Sequence, residues 1–273
     1  MTDPLLCLVT GANTGIGFEI ARGLARTGAR VVLACRDPIK GEAARGKIAE
    51  DAGNSAVELL VVDLASQRSI RSAAQEFSAK HNDLDVLVNN AGVAVPARQE
   101  SVDGIELTFA TNVLGYYLFT TLLLDAMRRA PAARIVNVAS KMAYGLDLED
   151  VEFKRRGYDP STAYAQSKQA DRMLTWFLAR QLEGTSVTAN AMSPGAVNTA
   201  LLRALAPGFR GVSPAQGADT AIWLATSPDL KGVSGRFWSD RREQPCQFRS
   251  QRDEQALWSL CERMTARPSR RRP

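Results

Sequence analysis

Tyr164 and Lys168 stand four residues apart in the run Tyr164-Ala165-Gln166-Ser167-Lys168, and Ala170, Met173, Leu174, Phe177, Leu178 and Leu182 follow at helical spacing. Residues four apart on a helix share a face, so a phenol and an ammonium sit side by side on a rigid support. Tyrosine ordinarily titrates near about pH 10, and a fixed cation beside it favours the phenolate. Bringing that value down by roughly 2–3 pH units takes about 3–4 kcal/mol, within reach of a partly desolvated site. A tyrosine tuned this way passes a proton near neutral pH. The same pair also occurs on plain helix surfaces, so its meaning depends on what the chain builds around it.

A second chemical feature lies near the start. Gly11, Gly15 and Gly17, with Asn13, Thr14 and Ile16 among them, form a turn between a short apolar strand and a helix. Glycine permits positive φ and close backbone approach, and the following helix N-terminus attracts phosphate. The GxxxGxG spacing differs from the usual GxGxxG, but the strand-turn-helix context is that of a dinucleotide site. Cofactor choice is read at the end of the second strand, where a carboxylate would bind a ribose 2′-hydroxyl and repel a 2′-phosphate. This chain places Cys35-Arg36-Asp37 there. Arg36 suits a phosphate and can stack on adenine, with Lys40 assisting. Asp37 is the competing signal, unless it caps the next helix. NADP(H) is favoured over NAD(H). Asp63-Leu64 and Asn90-Ala91-Gly92 end the third and fourth strands. Asp63 is placed to accept from the adenine amino group and the 90–92 backbone to pack on the adenosine ribose, although strand-end turns use the same residues.

Composition narrows the remaining possibilities. With 45% apolar and 23% charged residues the chain reads as a soluble globular protein. Its net charge is +5, but Arg267, Arg270, Arg271 and Arg272 supply four of those charges, leaving +1 for residues 1–266. Residues 267–273 are therefore expected to form a basic, frayed tail, and the body offers no nucleic-acid footprint. His81 is the only histidine and falls in a polar Lys-His-Asn helix end, which excludes a Ser-His-Asp triad and a histidine-based zinc site. No metal site is expected. Cys7, Cys35, Cys246 and Cys261 show no paired or metal-ligand spacing and are read as reduced thiols of a cytoplasmic protein. Few residues precede the first strand, so no membrane anchor is expected, and the apolar stretch 113–124 is short for a bilayer span.

These residues need a frame. Short apolar strands at 5–9, 31–34, 57–62, 85–88, 134–138, 186–192 and 233–238 alternate with helical patterns, including 105–129, 161–183 and 252–265. That alternation specifies one α/β domain over residues 1–266, a Rossmann-type doubly wound sheet of seven mostly parallel strands with helices on both faces. The irregular stretches 145–160 and 196–212 are the functional-loop candidates.

With TGANTGIG, NNAG, the Asn112 helix, Ser140 and YAQSK in this order, the chain resembles the short-chain dehydrogenase/reductase family over about residues 5–265. ACRD, FATNVLGYYLFT, the long interval between Ser140 and Tyr164, and GVSGRFWSD resemble its retinol-dehydrogenase-like branch, which favours NADP(H). The resemblance implies a catalytic tetrad of Asn112, Ser140, Tyr164 and Lys168. Tyr164 would exchange a proton with the substrate oxygen, and Ser140 would hydrogen-bond it. Lys168 would bind the nicotinamide ribose and lower the Tyr164 pKa, and Asn112 would hold a relay water. Pro194, Gly195, Val197 and Thr199 match the segment that passes the nicotinamide, and the apolar 200–212 region matches the substrate lid. Ala139 stands where the branch commonly has a second serine, and the N-terminal membrane segment of many retinol dehydrogenases has no counterpart. The implied function is interconversion of a hydrophobic carbonyl compound and its alcohol. The alternatives are a cofactor-binding sensor without turnover, or an epimerase acting through a transient ketone. Relatives often pair the Asn112 and Tyr164 helices, and the apolar faces at 116–124 and 173–182 would permit a homodimer or homotetramer. Pocket shape and specificity are assigned to 145–160.

Overall fold

The apolar segments assemble into one sheet in the computed structural model, which describes residues 3–266; the basic tail at 267–273 lies outside the described residues. Strands β1 (Leu6–Thr10), β2 (Arg30–Cys35), β3 (Val57–Val61), β4 (Val86–Asn89), β5 (Ala133–Val138), β6 (Val187–Met192) and β7 (Phe237–Ser239) run parallel in the order β3-β2-β1-β4-β5-β6-β7. Burial on both faces explains their continuous apolar runs. Along β1, Leu6 and Leu8 enter one core while Cys7 and Val9 enter the other. Helices α3 (Gln67–Lys80), α5 (Gly115–Arg129), α6 (Pro160–Gln181) and α9 (Gln251–Thr265) cover the first face. The second is covered by α1 (Gly15–Arg26), α2 (Pro38–Ala52) and α8 (Pro214–Thr226). The sheet is doubly wound, as expected.

Two elements differ from the expectation. An eighth strand, β8 (Arg242–Gln244), pairs antiparallel with β7 through a tight turn in which Asp240 and Arg241 both take positive φ. Its three residues are polar and sit at the sheet edge, so it carries no apolar signal. Helix α8 fills the interval between the irregular stretch 196–212 and the last expected strand, where no element is expected, although Ser213 and Gln216 form a capping box and Pro214 opens the first turn.

The faces at 116–124 and 173–182 meet the chain's own terminal helix. Helix α9 lies across them. Trp258 stacks on Phe177 at 4.5 Å and meets Tyr117 edge-on at 4.7 Å. Leu257 and Cys261 are fully buried, and Glu254 pairs with Arg180. The chain's own terminal helix thus packs on part of this surface, mainly on α6. The short helix α4 (Leu107–Phe109), a π turn over Ala110–Leu114 and α5 form one continuous helix, Leu107–Arg129. It extends well beyond the apolar stretch 113–124 and is long and apolar enough to cross a membrane by length and composition, but 78% of its most apolar window is buried in the fold.

Candidate active site

Strand register gathers the site. The pairs Thr10–Ala34, Cys35–Val61, Asn89–Asn137 and Val138–Met192 bring the carboxyl ends of β1 to β6 to one edge of the sheet. The chain reverses strand order between β1 and β4, where open α/β sheets bind ligands. A cavity of about 1010 Å³ opens there. Gly11, Asn13, Thr14, Gly15, Ile16, Gly17, Arg36, Asp63, Leu64, Asn90, Ala91 and Gly92 line its nucleotide end. Ser140, Tyr164, Lys168, Pro194, Gly195, Val197 and Thr199 line the remainder. Of the expected site residues, Lys40 and Asn112 are not on its wall.

The glycine turn is sterically required. A Cβ on Gly17 would stand 2.3 Å from the Gly11 carbonyl oxygen and 2.4 Å from Asn90 Nδ2, and Gly11 holds φ at +65° against the Ala91 backbone. Thr10 Oγ1 accepts from the Asn90 and Ala91 amides at 2.9 and 3.0 Å, and Asn90 Nδ2 donates to the Thr10 carbonyl. Asn90 thus braces the turn through its side chain, a role unread in the sequence because it depends on β1 and β4 being neighbours. Helix α1 begins with no side-chain cap from Thr14 and no acidic residue in its first turn. Its orphan N–H groups and dipole therefore face the cavity available for an anion. These features fit the diphosphate of a dinucleotide.

At the end of β2, Asp37 accepts from the Ile39 and Lys40 amides, both at 3.0 Å, and caps α2. Lys40 Nζ lies 3.5 Å from Asp37 Oδ2 and is largely solvent-exposed. Lys40 is turned to the cap, away from the cavity. Arg36 lines the cavity and makes no hydrogen bond or ion pair among the described residues.

Helix α6 presents the reactive side chains. Asp159 caps it by accepting from Thr162 N at 2.7 Å, Pro160 opens it, and it is buried along nearly all of residues 163–178. Ser140 and Tyr164 share the cavity wall, and Lys168 Nζ lies 5.8 Å from the Tyr164 ring. Burial pushes the Tyr164 phenol above the ordinary tyrosine range; Lys168 and Ser140 pull it down without cancelling the rise, and Asp171 adds to it. The lowering expected from Lys168 is present but outweighed by desolvation.

Asn112 sits in the π turn, a helix irregularity frequent at functional sites. Its Oδ1 accepts from Val93 N at 2.9 Å, and Nδ2 donates to Val93 O and Ser167 Oγ, both at 3.0 Å. Both amide hydrogens are thus committed to positioning loop and helix. Behind Ser140 lies a residue the sequence did not flag. Arg172, 3% exposed, places its guanidinium 3.6 Å from the centre of the Phe237 ring and donates to the Ser140 carbonyl at 2.5 Å. Burial lowers its pKa to about 10. Ser193 Oγ accepts from Lys141 N at 3.2 Å and fastens the loop after β5 to the end of β6.

The 145–160 stretch does not line the cavity. Asp150 accepts from the backbone amides of Lys154, Arg155 and Arg156, making the segment a self-contained knot. Tyr158 Oη donates to Val95 O and Arg98 Nε to Glu152 O, so the knot buttresses the loop at 93–98. The substrate end is instead walled by Val93, Met142 and, on α7 (Ala200–Leu205), Leu201, Leu202 and Leu205. His81, expected at a polar helix end, is buried against Phe77 and lies 3.2 Å from Glu58, far in sequence from this edge.

Comparison with known proteins agrees with the geometry. The profile of the short chain dehydrogenase family matches residues 6–208. The chain belongs to this family. Mouse retinol dehydrogenase 12 is 40% identical over 93% of the chain and 84% of its own length. Human polyprenol dehydrogenase is 38% identical over 95% and 84%. Among solved structures, an uncharacterised Mycobacterium paratuberculosis protein superposes with a TM-score of 0.78 at 35% identity, covering 96% of this chain and 95% of that one. A Shigella flexneri short chain dehydrogenase complexed with NADP superposes at 0.70 with 25% identity, covering 87% and 96%. The chain falls in the family's retinol-dehydrogenase-like branch. Family membership makes it an oxidoreductase of alcohols or carbonyls that takes a small-molecule substrate and a nicotinamide cofactor.

Proposed function

We propose that the protein is an NADP(H)-dependent dehydrogenase/reductase interconverting a hydrophobic aldehyde or ketone with its alcohol. One observation carries this reading: Ser140, Tyr164 and Lys168 share a wall with apolar Val93, Met142 and Leu202, while an unengaged Arg36 stands at the nucleotide end of the same cavity. When bound, NADP(H) gives or takes the hydride at the carbonyl carbon. Tyr164 Oη exchanges the proton with the substrate oxygen, and Ser140 Oγ hydrogen-bonds that oxygen as charge develops on it. Lys168 holds ribose hydroxyls and opposes the desolvation of Tyr164. Arg172 fixes the Ser140 backbone, and Asn112 holds Val93 and Ser167 in place. Arg36 would hold the 2′-phosphate, Asp63 and Leu64 the adenine, and the glycine turn the diphosphate.

The relatives named for retinol and polyprenol, together with the apolar wall, support an isoprenoid-like substrate. The test is to follow NADPH and NADH absorbance with a panel of long-chain and isoprenoid aldehydes and ketones. NADPH consumption with apolar carbonyls is the expected result. Tight NADPH binding with no turnover of any carbonyl would favour a sensor, and stereochemical inversion without net NADPH consumption would favour an epimerase.

A further inference from the structure

Lys168 is held by two acceptors. Its ammonium donates to the Val138 carbonyl at 3.0 Å and to Asp171 Oδ2 at 2.8 Å, three residues along the same helix. The Lys168 and Asp171 side chains are 4% and 0% exposed, so this is a fully buried ion pair. Asp171 Oδ1 has no hydrogen-bond partner among the described residues, and neither has the Tyr116 hydroxyl, whose ring lies 5.2 Å from Lys168 Nζ. Both residues border an internal cavity of about 10 Å³ that Thr120 and Asn137 also line. That is room for about one water molecule.

A buried ion pair is a poor device for stability, since well-packed apolar residues of similar volume commonly do as well or better. Half of this carboxylate, moreover, is unused by the fold. The groups facing Asp171 are Lys168 and Tyr164 on its own helix, Tyr116 on α5 and Cys261 on α9. Burial holds both Tyr116 and Cys261 neutral by raising their proton affinity. Lys168 is therefore the one cation that the carboxylate meets in this set, and Lys168 is the cation that Tyr164 feels.

We propose that Asp171 is a positioning residue acting through Lys168: it offsets the ammonium's charge and keeps Tyr164 in its proton-donating form, so that the phenolate needed for alcohol oxidation forms only at higher pH. The proposal rests on the proton-exchange role assigned to Tyr164 above. A lone buried ammonium would draw Tyr164 strongly toward phenolate, the form needed for alcohol oxidation. A Lys168–Asp171 pair acts on the phenol as a dipole, whose field is much weaker. Asp171→Asn removes the charge while leaving an oxygen for Lys168 to donate to.

The test is an ultraviolet difference titration of tyrosinate, with Tyr164→Phe subtracted to isolate Tyr164 from the other tyrosines. In Asp171→Asn the Tyr164 midpoint should fall by about one pH unit. Alcohol oxidation below that midpoint should rise roughly tenfold in the folded variant, while its melting temperature falls because Lys168 is left an unpaired buried charge. Asp171→Glu, which keeps the charge, should titrate as the unsubstituted protein does. Asp171→Ser, smaller and also neutral, reads out the same shift if the amide impairs folding. An unmoved Tyr164 midpoint in the neutral variants overturns the proposal. The titration needs no substrate, so failure to find a turned-over carbonyl would count against the enzymatic reading alone.

Discussion

Replacing Arg36 with alanine should separate the two nicotinamide cofactors. Arg36 lines the nucleotide end of the cavity and has no internal partner among the described residues, while the carboxylate next to it in sequence, Asp37, is committed to capping α2 and to Lys40. A hydrogen bond to a charged group contributes about 1.5–3 kcal/mol, and solvent at this exposed position moves the expectation to the lower end. The predicted loss in kcat/KM for NADPH is therefore roughly 10–30-fold, against less than about threefold for NADH. Arg36→Lys should fall between, because an ammonium lacks the planar fork that matches phosphate. Raising ionic strength should weaken NADPH binding in the unsubstituted protein more than in Arg36→Ala. Steady-state kinetics with both cofactors at two salt concentrations supplies the measurement. Equal losses for NADH and NADPH, or comparable kcat/KM for both before substitution, would refute the assignment of Arg36 to the 2′-phosphate.

Two further expectations follow from packing and charge. Trp258→Ala removes the half-buried ring stacked on Phe177 and should cost about 2–3 kcal/mol, less than a fully buried ring would, read as a lower melting temperature; it also uncovers apolar surface on α5 and α6, so size-exclusion chromatography should show new self-association, and a variant as stable and monodisperse as its parent would contradict the account of α9. At Asp150, burial pulls the carboxyl pKa upward but three backbone N–H donors outweigh it, holding the group below the usual carboxylate range. The stability this contributes is present above the ordinary aspartate pKa of about 4 and is lost as pH falls through the lower folded value. Protection of the amides across 147–156, taken relative to their intrinsic exchange rates, should fall in acid, and Asp150→Asn should flatten that dependence.

Much of the site was legible because its residues announce themselves locally. A glycine turn between strand and helix, a polar residue at each strand end and a tyrosine-lysine pair at helical spacing are contiguous patterns, and parallel pairing carries them to one edge. What escaped the sequence is contact across elements. Lys40 was counted with the cofactor because it follows Arg36 closely, yet the helix cap draws it to Asp37. Arg172 and Asp171 looked like ordinary helix positions and meet Ser140 and Lys168 only once α6 is docked. The 145–160 stretch was assigned to the cavity through its nearness to Tyr164, whereas Asp150 ties it into a knot on the 93–98 loop. The apolar faces at 116–124 and 173–182 both meet α9, about 140 and about 80 residues further along the chain. Burial around Tyr164, set by the whole fold, outweighs the cation that its sequence neighbour provides.

The central claim is that Tyr164 moves the proton while the surrounding cavity holds cofactor and substrate. Tyr164→Phe keeps the ring against Lys168 and deletes only the hydroxyl, so the decisive measurement pairs kcat for carbonyl reduction with NADPH affinity in that one variant. General acid catalysis commonly contributes about 10²–10⁴-fold, so kcat should fall by at least roughly a hundredfold while the NADPH dissociation constant stays within about threefold. Turnover within about tenfold of the unsubstituted enzyme, at unchanged cofactor affinity, would place the proton donor elsewhere and contradict the account.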